Sequence, residues 1–259
     1  MTDDLQEMAS KASRIVQDAS AVAMRYFRND RLDIDAKADD SPVTIADRET
    51  ELFIRKALEK AFPGHAIIGE EFGTEGDLSK KSWIFDPIDG TRFFISGYPA
   101  FGMLLAHLDA GKPLIGLVQM PALSETYLGY HGGPATMNGQ PIRTSAVRRL
   151  EEAKIFINEA EKTFSDNPDR FARLCTAGHT RRMSYDCYPH AMVAAGRIDA
   201  VTDLGLEPYD YLPLVALVEA AGGLMTDWSG AALSLNSDGR VLTAATPQLH
   251  QQMLQLLKG

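Results

Sequence analysis

The chain has 259 residues, of which 45% are hydrophobic and 24% charged, a composition typical of a globular protein with a sizeable core. Its formal net charge of −9 disfavours a general nucleic-acid surface and docking on an anionic membrane, since both need a basic face. There is no apolar run of membrane-spanning length and no signal-peptide pattern, and two cysteines are too few for a disulfide framework. We therefore predict a cytoplasmic protein without a nucleic-acid or membrane partner.

The spacing of apolar residues in the first part of the chain predicts two long helices and a short strand. Apolar residues recur at helical spacing from about Leu5 to Phe27 and from Thr44 to Ala61, with a polar loop at 37–42 between them. Asp47 falls in the first turns of the second helix, where the helix dipole alone would favour a carboxylate. Residues 66–68 are then predicted to form a short strand that runs into Gly-Glu-Glu at 69–71. A charged turn is the simpler interpretation of these three residues.

Residues 83–91, Trp-Ile-Phe-Asp-Pro-Ile-Asp-Gly-Thr, are the most informative stretch. Three consecutive apolar residues predict a strand that is buried on both faces and that the proline ends. Asp86 and Asp89 follow, and Gly90 and Thr91 open a turn into a short helix. Carboxylates at a strand end suit a hard divalent cation, and free helix amides suit a phosphate. The alternative is a strand capped by ordinary Asp-Pro and Asp-Gly turns.

The rest of the chain predicts an antiparallel sheet followed by alternating strands and helices. Tight turns at 109–112 and 138–139 mark hairpins between strands expected at 102–107, 114–119 and 125–130. From Ala153 the pattern predicts strands at 153–158, 179–183, 198–202, 224–226 and 241–244, and helices at 168–176, 187–195, 210–221 and 247–257. The fold class predicted is α/β, with α+β layers of helices and sheets. We expect an N-terminal part over 1–145 and a C-terminal part over 146–259 in one compact unit.

Four carboxylates share a structural context. Glu70, Asp86, Asp89 and Asp210 each lie at the end of a predicted strand or the start of a predicted helix. A role as the N-cap of the following helix would by itself explain an aspartate at position 210. Unpaired carboxylates that converge repel one another, so a cluster of all four is easier to explain with bound cations. Ligands that are all oxygen favour Mg²⁺ or Mn²⁺ over zinc.

These motifs resemble those of the inositol monophosphatase-like family of metal-dependent phosphatases, over nearly the whole chain. The matching segments are residues 41–47, 69–71, 86–91 and the helix from Asp210 to Gly223. The resemblance implies the layered sugar-phosphatase fold, a homodimer, and hydrolysis of a small phosphate monoester by direct attack of a metal-activated water.

The resemblance also implies roles for individual residues. One Mg²⁺ would be held by Asp86, Glu70 and the Ile88 carbonyl, and a second by Asp86, Asp89 and Asp210. Glu70 with a water would reach a third. Mn²⁺ could replace Mg²⁺. Thr91 and Asp47 would orient and deprotonate the attacking water. The amides of Gly90 and Thr91 would bind the phosphate.

The surroundings of Asp210 depart from the commonest family pattern. Many members have a tryptophan before this aspartate and small residues after it, whereas this chain has a tyrosine on each side. Together with residues 185–188, this form resembles the histidinol-phosphatase branch, which removes phosphate from L-histidinol phosphate. Histidinol carries an amine and an imidazole, so its pocket should offer acids. The candidates are Asp186, Asp203 and Glu207, each of which could instead be a solvated surface group.

Two alternatives stay open from the sequence. One is an inositol-1-monophosphatase, or another sugar or nucleotide phosphatase of the same family. The other belongs to a different class, a non-catalytic phosphate or metal sensor on the same scaffold.

Overall fold

Two main sheets of unequal size, with helices between and outside them, and a short two-stranded sheet form the described part of the protein. The computed structural model describes residues 2–29, 34–36 and 42–258. The polar loop predicted at 37–42 lies, except for Pro42, outside the described residues.

Helices and strands follow in chain order. The helices are α1 Thr2–Met24, α2 Ile45–Ala61, α3 Thr91–Ile95, α4 Ala160–Asp166, α5 Pro168–Thr176, α6 Tyr188–Ala194, α7 Pro208–Ala220 and α8 Pro247–Lys258. The strands are β1 Ile34–Ala36, β2 Pro42–Thr44, β3 Ala66–Gly69, β4 Gly73–Glu75, β5 Lys81–Asp89, β6 Gly102–Asp109, β7 Lys112–Met120, β8 Glu125–Tyr130, β9 Ala135–Met137, β10 Gln140–Ile142, β11 Lys154–Asn158, β12 Thr180–Ser184, β13 Ala200–Leu204, β14 Leu224–Asp227 and β15 Arg240–Ala244.

The large sheet is mostly antiparallel. Its eight strands run in the order β10-β9-β8-β7-β6-β5-β3-β4, and β3 and β5 form its parallel pair. The small sheet has the order β12-β11-β13-β15-β14, with β11 parallel to both β12 and β13, and β15 antiparallel to its neighbours. Hairpins in the first half and crossovers in the second are what the sequence pattern predicts.

The helices form three layers around the two sheets. α1 and α2 cover one face of the large sheet, and the small alanines of α1 (Ala9, Ala12, Ala19) are fully buried there. α6 and α7 lie between the sheets, while α5 and α8 pack on the outer face of the small sheet. This arrangement confirms the layered α/β fold. The division of the chain at residue 145 stays a prediction.

α7 is buried on all sides because it contacts both sheets. Its residues 211–218 are all buried, in keeping with a helix that is apolar around its whole circumference. Two glycines of the large sheet let it come close. A Cβ on Gly116 would lie 2.0 Å from the carbonyl oxygen of Pro213, and one on Gly129 would lie 2.7 Å from Cα of Leu217. The N-terminus of α7, which carries Asp210, is thereby placed against the end of β5.

β5 corrects one local prediction. The strand does not end at Pro87 but continues to Asp89, which pairs with Gly102 after a shift in register between Asp86 and Asp89. Pro87 lies inside that irregularity, where its nitrogen does not have to donate a hydrogen bond to a neighbouring strand. Residues 86–89 therefore form an irregular continuation of β5 beside β6 and not a simple turn.

Among the helices of the described residues, none is both long and apolar enough to cross a membrane.

Candidate active site

Neighbouring strand ends bring the first two acids together. β3 and β5 are parallel and in register, with Gly69 beside Phe85, so Glu70, which follows the end of β3, comes next to Asp86 of β5. Gly69 has no room for a side chain, since a Cβ there would lie 2.2 Å from a carboxylate oxygen of Glu51. The buried Glu51 accepts backbone N–H bonds from residues 71 and 72 and so holds the loop after Glu70.

Three aspartates converge from different elements. One carboxylate oxygen from each of Asp86, Asp89 and Asp210 lies within 4.8 Å of the others. Each carboxylate is fixed by a backbone N–H: Ile88 donates to Asp86 at 2.8 Å, Cys187 to Asp89 at 2.6 Å, and Glu207 to Asp210 at 2.8 Å. Asp210 is the third residue of α7, after the N-cap Glu207, and so is not itself the cap.

The three aspartates share a perturbed electrostatic environment. Burial raises the pKa of each well above its usual value, and neighbouring carboxylates raise it further, Glu70 and Asp89 for Asp86, and Asp89 for Asp210. Rigidly held acids that destabilise one another in this way fit a divalent cation, which would neutralise them. Their oxygen-only donor set is that of a hard cation. The ligands implied for Mg²⁺, including the Ile88 carbonyl beside them, are thus gathered at one place.

Thr91 and Asp47 meet although they are far apart in sequence. Thr91 is the first residue of α3, and its Oγ1 lies 3.4 Å from Oδ1 of Asp47 and 3.2 Å from the Ile88 carbonyl oxygen. Asp47 is fully buried, and its other oxygen accepts from the amide and hydroxyl of Thr44, at 2.7 and 2.6 Å. Burial raises the pKa of Asp47 to about 6, against the lowering effect of the Thr44 bonds. Gly90 precedes Thr91 with φ of 86°, a left-handed conformation that favours glycine.

A cavity of about 790 Å³ opens beside the aspartates. Among the described residues, eight carboxylate side chains and two cationic ones line it. The acids are Glu70, Asp86, Asp89, Glu159, Glu161, Asp186, Glu207 and Asp210, and the cations are Arg92 and Lys162. Four of these eight acids are not among the implied metal ligands, so a metal site alone does not explain the negative charge of the cavity.

The three acids predicted for substrate binding have different positions. Asp186 lines the cavity with φ of 60°, and burial together with Glu159 raises its pKa to about 7. Glu207 is exposed at the rim, at the start of α7. Asp203 is fully buried behind the wall, where Asn158 donates to it at 2.7 Å and His190 Nε2 lies 3.0 Å away. This placement gives Asp203 no access to the cavity, which corrects the expectation of a substrate contact, because its oxygens are used within the protein.

Several cavity residues were not predicted from the sequence as site residues. Glu159, and Tyr185 from the motif at 185–188, follow the carboxyl ends of the parallel strands β11 and β12. Ligands bind at such ends in open α/β sheets, so that rule could have assigned both to the site. Glu161 and Phe93 lie on short helices and gave no comparable signal.

Comparison with known proteins decides the family. A model described as the inositol monophosphatase family matches residues 4–259. The chain belongs to this family. Relatives and structural neighbours include a histidinol-phosphatase and an inositol monophosphatase, and this chain is a phosphoric monoester hydrolase of the inositol monophosphatase family.

Two curated relatives and one solved structure illustrate the similarity. The chain is 36% identical to the bifunctional phosphatase IMPL2 of Arabidopsis thaliana, over 98% of this chain and 76% of that protein. It is also 36% identical to the histidinol-phosphatase of Chlorobaculum parvum, over 93% of this chain and 92% of that one. A structure of an inositol monophosphatase from Zymomonas mobilis superposes with a TM-score of 0.87 at 33% identity, covering 98% of each chain.

Proposed function

We propose that this inositol monophosphatase family member is a Mg²⁺-dependent histidinol-phosphatase, which converts L-histidinol phosphate and water to L-histidinol and phosphate. The observation that carries the proposal is the acidic cavity: beyond the carboxylates proposed as metal ligands, it has four more acids, Glu159, Glu161, Asp186 and Glu207. A cationic leaving group would be attracted by such a wall, while an uncharged polyol would not require it.

The metal ligands proposed are Glu70, Asp86, Asp89, Asp210 and the Ile88 carbonyl, for two or three Mg²⁺ ions. A bound divalent cation supplies positive charge against the phosphoryl oxygens and lowers the pKa of the attacking water. The contribution of the chain is to hold its carboxylates at fixed positions through the three backbone N–H bonds described above, so that little reorganisation accompanies the reaction.

Thr91 and Asp47 are proposed to orient and deprotonate the water. The hydroxyl of Thr91 would accept from the water and donate to Asp47 Oδ1, which lies 3.4 Å away. Thr44 holds Oδ2, which leaves Oδ1 to face Thr91. Burial raises the pKa of Asp47 to about 6, which makes it a better base for this proton. The Gly90 and Thr91 amides are proposed to donate to the phosphate.

Relatives support the proposed substrate without deciding it. The histidinol-phosphatase and the bifunctional phosphatase are equally similar to this chain, and the Zymomonas structure is an inositol monophosphatase. The alternative within the family is therefore hydrolysis of an inositol or other sugar phosphate.

Steady-state kinetics would test the proposal. With saturating Mg²⁺, we expect kcat/KM for L-histidinol phosphate to exceed that for inositol 1-phosphate at least tenfold, a difference of about 1.4 kcal/mol. The reverse preference would favour the inositol alternative. Phosphate or metal binding without turnover of any monoester would favour the sensor.

A further inference from the structure

Aromatic rings form one part of the otherwise acidic cavity wall. Phe93 and Tyr185 both line the cavity, and their rings meet edge to face, with centroids 5.8 Å apart and planes at 87°. Tyr98 packs on the outer side of Phe93 at 4.8 Å. These rings come from the α3 region and from the end of β12, so the two halves of the chain meet here.

Tyr185 is held in place by its hydroxyl. It donates to Glu161 Oε1 at 2.7 Å, and this bond is the main reason why its pKa is raised to about 12. The ring therefore stays neutral at physiological pH, beside a carboxylate. A neutral, electron-rich ring with an acid next to it is a surface that attracts flat cations.

Asp186 lies next to this aromatic surface and has an unused carboxylate. No hydrogen bond or ion pair to its side chain is found among the described residues, whereas Glu161 bonds Tyr185, and Glu159 pairs with Lys162 at 2.9 Å. Asp186 also lies against Gly90, where a Cβ would come within 2.8 Å of Oδ2. It thus lies against the residue that precedes α3, beside the proposed phosphate position.

We propose that Phe93 and Tyr185 form the surface that selects the leaving group, by receiving a flat heteroaromatic ring while the ammonium group carried beside that ring pairs with Asp186. This inference rests on the proposed function and adds to it the residues that would discriminate substrates. A puckered polyol offers no flat face to these rings, so it gains less from them.

The test compares ring removal with hydroxyl removal. Phe93→Leu and Tyr185→Leu remove a ring, Tyr185→Phe removes only the bond to Glu161, and Phe164→Leu is a matched control because Phe164 is 53% exposed and lies outside the cavity lining. Each purified variant is assayed with Mg²⁺ on L-histidinol phosphate and on glycerol 2-phosphate, and L-histidinol is tested as a competitive inhibitor of glycerol 2-phosphate hydrolysis.

We expect both leucine variants to raise KM for histidinol phosphate, and Ki for histidinol, about tenfold more than KM for glycerol 2-phosphate. Tyr185→Phe should show a smaller rise and Phe164→Leu none. A proportional rise on both substrates would show a merely structural effect, and an unchanged Ki for histidinol would show that the rings do not contact it; either overturns the inference. Failure of the proposed function shows separately, in the wild-type protein, as preference for inositol 1-phosphate.

Discussion

Asp47 takes part in two interactions through its two oxygens. Oδ2 accepts from Thr44 and completes the capping box of α2, while Oδ1 faces Thr91. The simple helix-terminus interpretation of this residue is therefore correct and also incomplete. The two roles should separate experimentally, since one affects stability and the other the rate.

The pair Asp47 and Thr91 gives the first prediction. Asp47→Asn and Thr91→Val should each lower kcat about 100-fold, with much smaller changes in KM, because the lost proton transfer belongs to the transition state. Because asparagine keeps an oxygen for the Thr44 amide and removes a buried carboxylate whose pKa is raised, the unfolding free energy of Asp47→Asn should be unchanged or higher. Kinetics and urea unfolding of the single and double variants measure both.

The double variant should be little slower than the worse single variant, because residues that act as one unit are not additive. Losses that multiply would mean that Thr91 and Asp47 act independently, and the proposed transfer would be wrong.

Asp210 gives the second prediction. Asp210→Asn keeps an oxygen for the Glu207 amide but removes a charge from a mutually repelling cluster. We expect kcat to fall about 100-fold, roughly 3 kcal/mol, while the thermal stability of the metal-free protein is unchanged or higher. Asp18→Asn, the same change at an exposed position of α1, is the control. Wild-type turnover at low Mg²⁺ would remove Asp210 from the site.

His107 on β6 gives the third prediction, which concerns pH. Its side chain is 1% exposed, neither ring nitrogen has a hydrogen-bond partner among the described residues, and burial lowers its pKa to about 4. Between pH 6.5 and about 4 the unfolded chain binds a proton at this residue that the folded protein does not. Unfolding free energy should therefore fall with decreasing pH, by up to about 3 kcal/mol from this histidine.

His107→Phe keeps a ring between Trp83 and His65 but cannot be protonated. Urea unfolding at pH 7 and pH 4.5 should show a smaller loss in this variant than in the wild type. Equal losses in the two proteins would show that His107 does not control acid sensitivity here.

At the scale of elements, periodicity predicted most of the fold. The long helices α1 and α2 and the long strands β5 to β8 have a strongly apolar face or core, which is the property that periodicity detects. The three-residue strands β4, β9 and β10 were not predicted, and β4 is exposed at every residue. α4 escaped prediction because residues 160–166 are mostly exposed and carry little apolar pattern. The course of β5 past Pro87 escaped as well, because a bulge depends on pairing with β6.

The candidate site was predictable only in part. Acids at the ends of β3 and β5 follow from local motifs, since those strands are close in sequence. The bond from Cys187 to Asp89 and the enclosure of Asp203 by Asn158 and His190 join residues 98, 45 and 13 positions apart. The first contact depends on how the two sheets pack, and the others on how β11, β13 and α6 come together within the small sheet, about which a single sequence carries little information.

At the scale of the whole molecule, charge gives the fourth prediction. A chain of net charge −9 that concentrates eight carboxylates in one cavity should be stabilised by divalent cations. EDTA should abolish phosphatase activity and Mg²⁺ should restore it.

Mg²⁺ should also raise the melting temperature, since a ligand at 100 times its Kd adds about 2.7 kcal/mol to the stability of the folded state. Calorimetry with and without Mg²⁺ measures this apart from activity, and Ca²⁺ provides a comparison ion. Full activity in a metal-free preparation would contradict the prediction.

The close approach of α7 to the large sheet affects which substitutions the protein tolerates. Gly116 and Gly129 lie outside the cavity, yet any side chain there would push against α7, the helix that carries Asp210. In a library of single substitutions selected for phosphatase activity, these two glycines should rank with the acids of the cavity among the most intolerant positions. Loss of these variants from the selected library would show that activity depends on the position of α7. It would also show that glycines in the middle of the large sheet, outside the cavity, are required for function.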